Sequence, residues 1–560
     1  MTPGILRGLP ASLPRGWALA AGLAVPVVGL AVLAPSSAVY GAVFLAAAAY
    51  AVRTSRRRGP LAAGRMARAV LLLVTGVGVF LPALVGLLGL SSQTLARLVS
   101  PEVPVARGDL LLTTLVSAGL VLGARHWPAR LGEPAFVALA LASAIGLKLA
   151  YVFLVRVEPV SDFAAMWALT SSLAEHGLGA RSSFTTFYAW AHFERVLPYL
   201  LPLRLAFGPR PASYLVANVV LGALGSLLVY RMTRPWFGAG AARVALVVSL
   251  AAVETVLASA IPTHDVPGTF YALLSIALFL AVWRLHSEGR YRAALLAGAG
   301  FGLTVLVLDL QRTTGAVMLL SSALLGLAMA LVERREPGAP GSVRRRRLAA
   351  ALSLVLIPWA VFWTANRALR GAALRMPSAL LSSAGGLGLA AGTDSWSDGS
   401  YTYCLDNYTI PYNALAVNWS SLTLAKLATD THLHPGARVP SYLRKSGTLF
   451  DLGSQTYFYL SGAELRGLGP VSGPRADRVQ AISRWFSALF LGALAVAFYR
   501  LWTLPELPLP SLLPLLYLAL LSAILIFLGE VQSRYLFPIW YLGSIYVGAL
   551  LGGPARGEVR

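Results

Sequence analysis

The 560-residue chain is 57% hydrophobic and only 12% charged, which is too apolar for a soluble protein of this length. Its net charge of +23 does not point to nucleic acid, because the arginines sit in short hydrophilic gaps between apolar runs, where the positive-inside rule puts them. The single cysteine, Cys404, excludes an intramolecular disulfide and any multi-cysteine metal site.

Basic residues Arg7 and Arg15 precede an apolar stretch, Trp17–Leu33, that closes on Ala34-Pro35-Ser36-Ser37-Ala38. That pattern fits a cleaved signal peptide, but more apolar sequence follows at once in Val39–Val52, which favours a signal-anchor hairpin. Further runs fall near 69–90, 109–123, 134–155, 212–230, 242–260, 268–284, 293–308, 315–332, 348–364, 480–499, 511–529 and 536–552. With 17–34 and 37–52 they predict an all-α polytopic membrane protein of about 14 transmembrane helices, since a helix of roughly 17–25 apolar residues spans the hydrocarbon core. An outer-membrane barrel would show alternating ten-residue segments, and none is seen.

The gaps give the orientation. Arg53, Arg56–Arg58, Arg65 and Arg68 follow the second run, Arg125 and Arg130 the fourth, and Arg231 and Arg234 the sixth. Arg284, Arg290 and Arg292 follow the eighth, and Arg334, Arg335 and Arg344–Arg347 the tenth; the twelfth exit has only Arg500. Even-numbered exits are therefore cytoplasmic, and both termini are expected inside a multi-pass cell membrane. Lysine occurs only at 148, 426 and 445, and the Arg-, Ala- and Gly-rich usage is that of a GC-rich bacterial genome.

Two exterior gaps are long. Residues 156–211 contain Asp162, in Pro159-Val160-Ser161-Asp162-Phe163, and residues 365–478 are rich in Gly, Ser, Tyr, Asn and Asp, as in Gly392–Tyr401. The second has the length of a small exterior domain with dense turns. The expected organisation is an N-terminal module of about four helices at 1–130, a transmembrane core at 131–364, the exterior domain at 365–478 and closing helices at 479–560.

Four polar clusters lie at exterior helix ends: Ser161-Asp162, with Glu175, His176, His192 and Glu194 downstream; Thr263-His264-Asp265; Asp309-Leu310-Gln311-Arg312; and Glu530 to Tyr535, with Arg534. If they converge, they form a cavity of carboxylates, imidazole and guanidiniums at headgroup level. Arg312 or Arg534 would grip a lipid phosphate, and a carboxylate would take a proton from an attacking hydroxyl. Each has a plainer alternative. Asp162 is a solvated acid at a helix end, Asp265 caps the helix that begins near Pro267, and Asp309 with Arg312 and Glu530 with Arg534 are local ion pairs. His176 and His192 read as surface residues, and Phe184, Phe187, Tyr188 and Trp190 as an interfacial belt. No strong metal signature such as HExxH occurs.

The ordered motifs resemble a known group. Glu158-Pro159-Val160-Ser161-Asp162-Phe163 is similar to the first exterior loop of GT-C glycosyltransferases, the polyprenyl-phosphate-sugar-dependent group that includes protein O-mannosyltransferases and lipid A aminoarabinose transferases. In order, Leu197–Pro202 to Phe207-Gly208, Leu228–Arg231 with Trp236-Phe237-Gly238, Gln311–Gly315 and Arg534–Pro538 resemble later elements of that group, so the resemblance covers roughly 134–552. It implies a GT-C-like core, Asp162 as general base, Asp265 as second acid, and Arg312 and Arg534 as contacts to donor phosphate. His264, Glu530 and Tyr535 would contact substrate. It implies a polyprenyl-phosphate sugar as donor and a glycan, lipid or protein as acceptor, with the active site facing the exterior and the anomeric centre inverted; a divalent metal stays open. Three departures stand out: four runs precede the matching one, the loop lacks the Asp-Glu pair of protein mannosyltransferases, and His264-Asp265 stands where Glu is frequent.

Two alternatives remain. In a transporter or flippase of a lipid-linked saccharide, polar residues would line a path, yet the midspan residues are apolar except Glu254 and Lys148. The other is a scaffold that keeps the fold without catalysis.

Overall fold

The computed structural model describes residues 107–127, 131–158, 161–177, 195–333, 356–369, 435–503 (without 455, 461, 467 and 468), 509–527 and 533–552, together with Val79. The runs near 17–34, 37–52 and 69–90 of the expected N-terminal module lie outside these residues, Val79 apart. So does the 370–434 portion of the expected exterior domain.

Within the described residues the fold is helical, with one small sheet. Helices α1 (Arg107–His126) and α2 (Glu133–Leu154) come first. Strand β1 (Val155–Val157) leads to α3 (Ser161–His176) and α4 (Leu200–Phe207). Then follow α5 (Ala212–Ala251), the short α6 (Val253–Leu257), α7 (Asp265–Ser287), α8 (Tyr291–Arg312) and α9 (Gly315–Glu333). After the gap come α10 (Pro435–Phe450), α11 (Thr456–Leu460), β2 (Ala463–Leu465) and β3 (Gly469–Pro470). Helices α12 (Pro474–Thr503), α13 (Leu513–Phe527) and α14 (Ile539–Gly552) close the chain, with a 3-10 turn at Ser533–Leu536.

Seven described helices are long and apolar enough to cross a membrane: α1 from Gly108, α2, α5, α7, α8, Pro474–Leu501 and Leu509–Ile526. Gly315–Gly326 and Ile539–Gly552 are shorter apolar helices. The runs expected at 212–230 and 242–260 correspond to the two limbs of α5, the second run extending past it into α6. As one straight rod α5 would reach about 60 Å, twice the hydrocarbon thickness. It is instead broken at Gly238, whose φ of 85° and ψ of 173° suit a residue without Cβ. The second limb ends at Ala251, so Glu254 lies beyond the span rather than in its middle.

Helix α5 packs most extensively on α14, and α7 on α8. Strands β1, β2 and β3 form an antiparallel sheet with Val155 opposite Leu465 and Glu464 opposite Pro470. Helix α10 lies against the Ser533–Leu536 turn and α13, while α11 lies against α12 and α6. The segment from 435 to 470 is therefore knitted into the same end of the helix bundle that carries the loop after α2.

Candidate active site

The turn into α7 sets the first acid. The Asp265 N–H donates to Thr263 Oγ1 at 3.0 Å, so Thr263 supplies the hydroxyl that braces the helix start. The Asp265 carboxylate, fully buried, turns to other partners. One oxygen is ion-paired with Arg312, and the other accepts the Tyr459 hydroxyl at 3.1 Å. His264 Nε2 stands 3.8 Å from the Arg312-facing oxygen.

Arg312 arrives from the last turn of α8. The chain there leaves the helix through Thr313, a β-branched residue held left-handed at φ 50° and ψ 30°. The Thr313 N–H reaches Asp309 O at 2.7 Å, and the Gly315 N–H donates to Asp309 Oδ1 at 2.9 Å. Asp309 thus braces the turn, and Arg312 reaches across to α7 rather than making only a local contact. It crosses at Gly268, where a Cβ would stand 2.6 Å from Arg312 Cγ, so a larger residue there would displace the guanidinium. Arg312 Nη2 also donates to the Arg534 carbonyl at 2.7 Å, binding α8 to the late 3-10 turn.

Arg534 completes the cluster. Its guanidinium lies over Phe163 and over Tyr535, each with Cζ 5.6 Å from the ring centroid, and Arg312 lies 5.7 Å from the Tyr535 ring. These are cation–π distances. Phe163 also faces His264, with ring centroids 6.3 Å apart. The first turn of α3 therefore touches the turns before α7 and before α14.

His264, Asp265, Arg312, Arg534 and Tyr535 thus come together from three separated stretches of sequence. Asp162 lies in the backbone of α3 beside Phe163, but its side chain, like all of Glu530, falls outside the described residues. His176 is exposed at the end of α3, with Nδ1 3.2 Å from Ser172 O, and Glu175 pairs with Arg204 at 3.6 Å; neither joins the cluster. His192 and Glu194 also lie outside the described residues. His264 and Asp265 offer two metal-ligating side chains, and among the described residues no group of three or more such side chains occurs.

Sequence reading missed Tyr459. It is fully buried on α11, and burial, with the Glu254 charge adding to it, pushes its hydroxyl far above the ordinary tyrosine value. Tyr459 is therefore a neutral donor to Asp265. Nothing in the local sequence marks it, because its partner lies 194 residues away. In chemical terms the cluster is a basic site built around one carboxylate, with aromatic faces beneath the guanidiniums. Such a site suits a phosphate anion.

No family model matches the sequence, and no curated protein matches it. Among solved structures, the chain is similar to the oligosaccharyltransferase AglB from Archaeoglobus fulgidus in complex with an inhibitory peptide and a dolichol-phosphate, at 12% identity and a TM-score of 0.37. The match covers 76% of this chain and 50% of that one, so the chain spans about half the length of that protein. It is also similar to ArnT from Cupriavidus metallidurans bound to undecaprenyl phosphate, at 15% identity and a TM-score of 0.28, over 75% of this chain and 78% of that one. Both are GT-C glycosyltransferases, the group that the sequence motifs resemble. At these identities and scores no residue role follows from the likeness.

Proposed function

We propose that the chain is an integral-membrane glycosyltransferase that moves a sugar from a polyprenyl-phosphate carrier to an acceptor on the outer face of the cell membrane. Asp162 is the general base. It takes the proton of the acceptor hydroxyl as that oxygen attacks the anomeric carbon, while the bond from that carbon to the phosphate oxygen breaks on the opposite side and inverts the centre. The polyprenyl phosphate leaves toward Arg312 and Arg534. Asp265 holds Arg312 in place, and His264, Glu530 and Tyr535 line the sugar and phosphate. The 365–478 segment selects a glycan, lipid or protein acceptor, and 1–130 is an added helical module with its N-terminus in the cytoplasm.

What carries this reading is the meeting of Arg312, Arg534, His264 and Asp265 against Phe163, the residue next to Asp162. Phe163 brings the first turn of α3 to this cluster, which supports a base on that turn acting close to the phosphate contacts. The test is Asp162→Asn in purified full-length protein, with release of polyprenyl phosphate from a polyprenyl-phosphate sugar as readout. Transfer should fall by at least about a hundredfold, the usual contribution of a general base, while expression and insertion stay normal. Retained activity would remove Asp162 from the mechanism.

One observation favours a second reading. Lys148 is buried within the apolar helix α2, with Nζ 3.2 Å from Thr255 Oγ1, and an ionisable side chain there suits a translocation path. Passage of a lipid-linked saccharide across proteoliposomes with its glycosidic phosphate bond intact would replace the enzyme by a transporter.

A further inference from the structure

Glu254 is a buried acid that the chemistry above does not use. The chain turns at Ala252, with φ −59° and ψ 121°, and the short α6 carries Glu254 inward to 1% exposure. Its Oε1 accepts the Thr456 hydroxyl at 2.5 Å and the Ser483 hydroxyl at 2.9 Å. These donors come from α11 and α12, and both are fully buried. Its Oε2 is buried with no hydrogen-bond partner among the described residues. A desolvated carboxylate with one orphan oxygen costs stability. A group that costs stability in this way is a candidate for a task beyond filling space.

The geometry of α11 supplies that task. Thr456 and Tyr459 stand three residues apart and so share one face of the helix. Thr456 is held by Glu254, and Tyr459 is held by Asp265. Glu254 and Asp265 belong to one stretch of chain, joined through the 3-10 turn Ala258–Ala260. Helix α11 therefore bridges both ends of that stretch as a rung. Arg484, next to Ser483, pairs with Asp451 at 3.0 Å and ties the approach to α11 down a second time.

We propose that Glu254 is a positioning residue: by holding Thr456 and Ser483 it fixes α11, and α11 in turn holds Tyr459 on the Asp265 carboxylate. Tyr459 occupies one oxygen of Asp265 and leaves the other to Arg312. Without Tyr459 the carboxylate rotates to take the guanidinium with both oxygens, and N–H donors are withdrawn from an incoming phosphate. The consequence for phosphate rests on the reading of this end as the donor site; the clamp itself does not.

Two measurements on the full chain in nanodiscs separate these claims. The first is hydrogen exchange at 456–460 and at 265–269. Thr456→Val should speed exchange at both segments by about tenfold, the loss of one hydrogen bond, and Glu254→Ala, which loses two, by at least as much. Thr456→Ser, which keeps the hydroxyl, should not, and Glu254→Gln, which keeps the acceptor oxygen, should stay close to the parent. Faster exchange confined to 456–460, or unchanged exchange in Glu254→Ala, would overturn the positioning role. The second measurement is binding of farnesyl phosphate. Thr456→Val and Tyr459→Phe should each weaken it about tenfold, and the double variant should be no weaker than either single one, because both act through one contact. Additive losses would overturn the coupling. Failure of the parent protein to bind farnesyl phosphate would instead remove the donor-site reading, with the clamp still decided by exchange.

Discussion

At the scale of single residues, the cluster turns on where carboxylates are placed. Asp265 is buried but answered by Arg312 and Tyr459, whereas Glu254 is buried and, among the described residues, answered only by hydroxyls. Burial pushes the Glu254 carboxyl up to about 7 from the ordinary 4.5, against the lowering effect of its two hydroxyl donors. Asp451, paired with Arg484, adds to the rise. Between 4.5 and about 7 the unfolded chain has released this proton and the folded chain still holds it. The folded state then binds more protons, so stability is highest below 4.5 and falls as pH rises through that window. Glu254→Gln carries no titrating proton and should flatten the fall. Thermal unfolding of both proteins across the window checks this; parallel curves would show that Glu254 is not the group responsible.

At the scale of elements, the strained turn after α8 is where the fold bears on the site. A β-branched residue in the left-handed region costs of order 1–2 kcal/mol, and Thr313 adopts it between the residue that reaches Asp265 and the glycine that Asp309 braces. Thr313→Gly should relieve the strain and raise stability by up to about 1 kcal/mol, while loosening Arg312 and weakening phosphate binding. Thermal unfolding read beside farnesyl phosphate affinity tests the pair of effects; gain in both would show that the strain has no part in holding Arg312. The helices themselves were legible, since an apolar run such as 293–308 leaves little choice but a helix like α8. The junctions were less so. The gap expected between 230 and 242 narrows to one residue, Gly238, whose non-helical backbone separates two helices, with Pro235 in the first of them. The spacing of Asp309 and Arg312 fits a local pair, yet Gly268 opens a path to Asp265 that no local pattern reveals. Tyr459 and Glu254 escaped for the same reason: their partners stand 194, 202 and 229 residues away.

At the scale of the whole molecule, the remaining question is which side of the membrane this end faces, and the sequence carries its own reporter. Residues 463–465 pair with β1 beside α2, and Tyr459 touches Asp265, so the segment that ends at 478 is bound to the end of the bundle that carries the site. Cys404, the only cysteine in the chain, lies in the same hydrophilic interval, with no long apolar run between it and Tyr459. Its sidedness therefore reports that of Asp265 and Arg312. By the positive-inside rule the arginine-rich gaps, Arg344–Arg347 above all, are expected to face the cytoplasm, and the 365–478 interval the exterior. A membrane-impermeant maleimide should accordingly label Cys404 in intact cells, after removal of an outer membrane if one is present, with no added labelling on permeabilisation. A cysteine placed at Ser397 in a Cys404→Ser background should behave alike, which guards against one unreactive thiol. Labelling of both positions only after permeabilisation would place the basic cluster on the cytoplasmic side. Transfer to an outer acceptor would then be impossible from this site, whatever its chemistry.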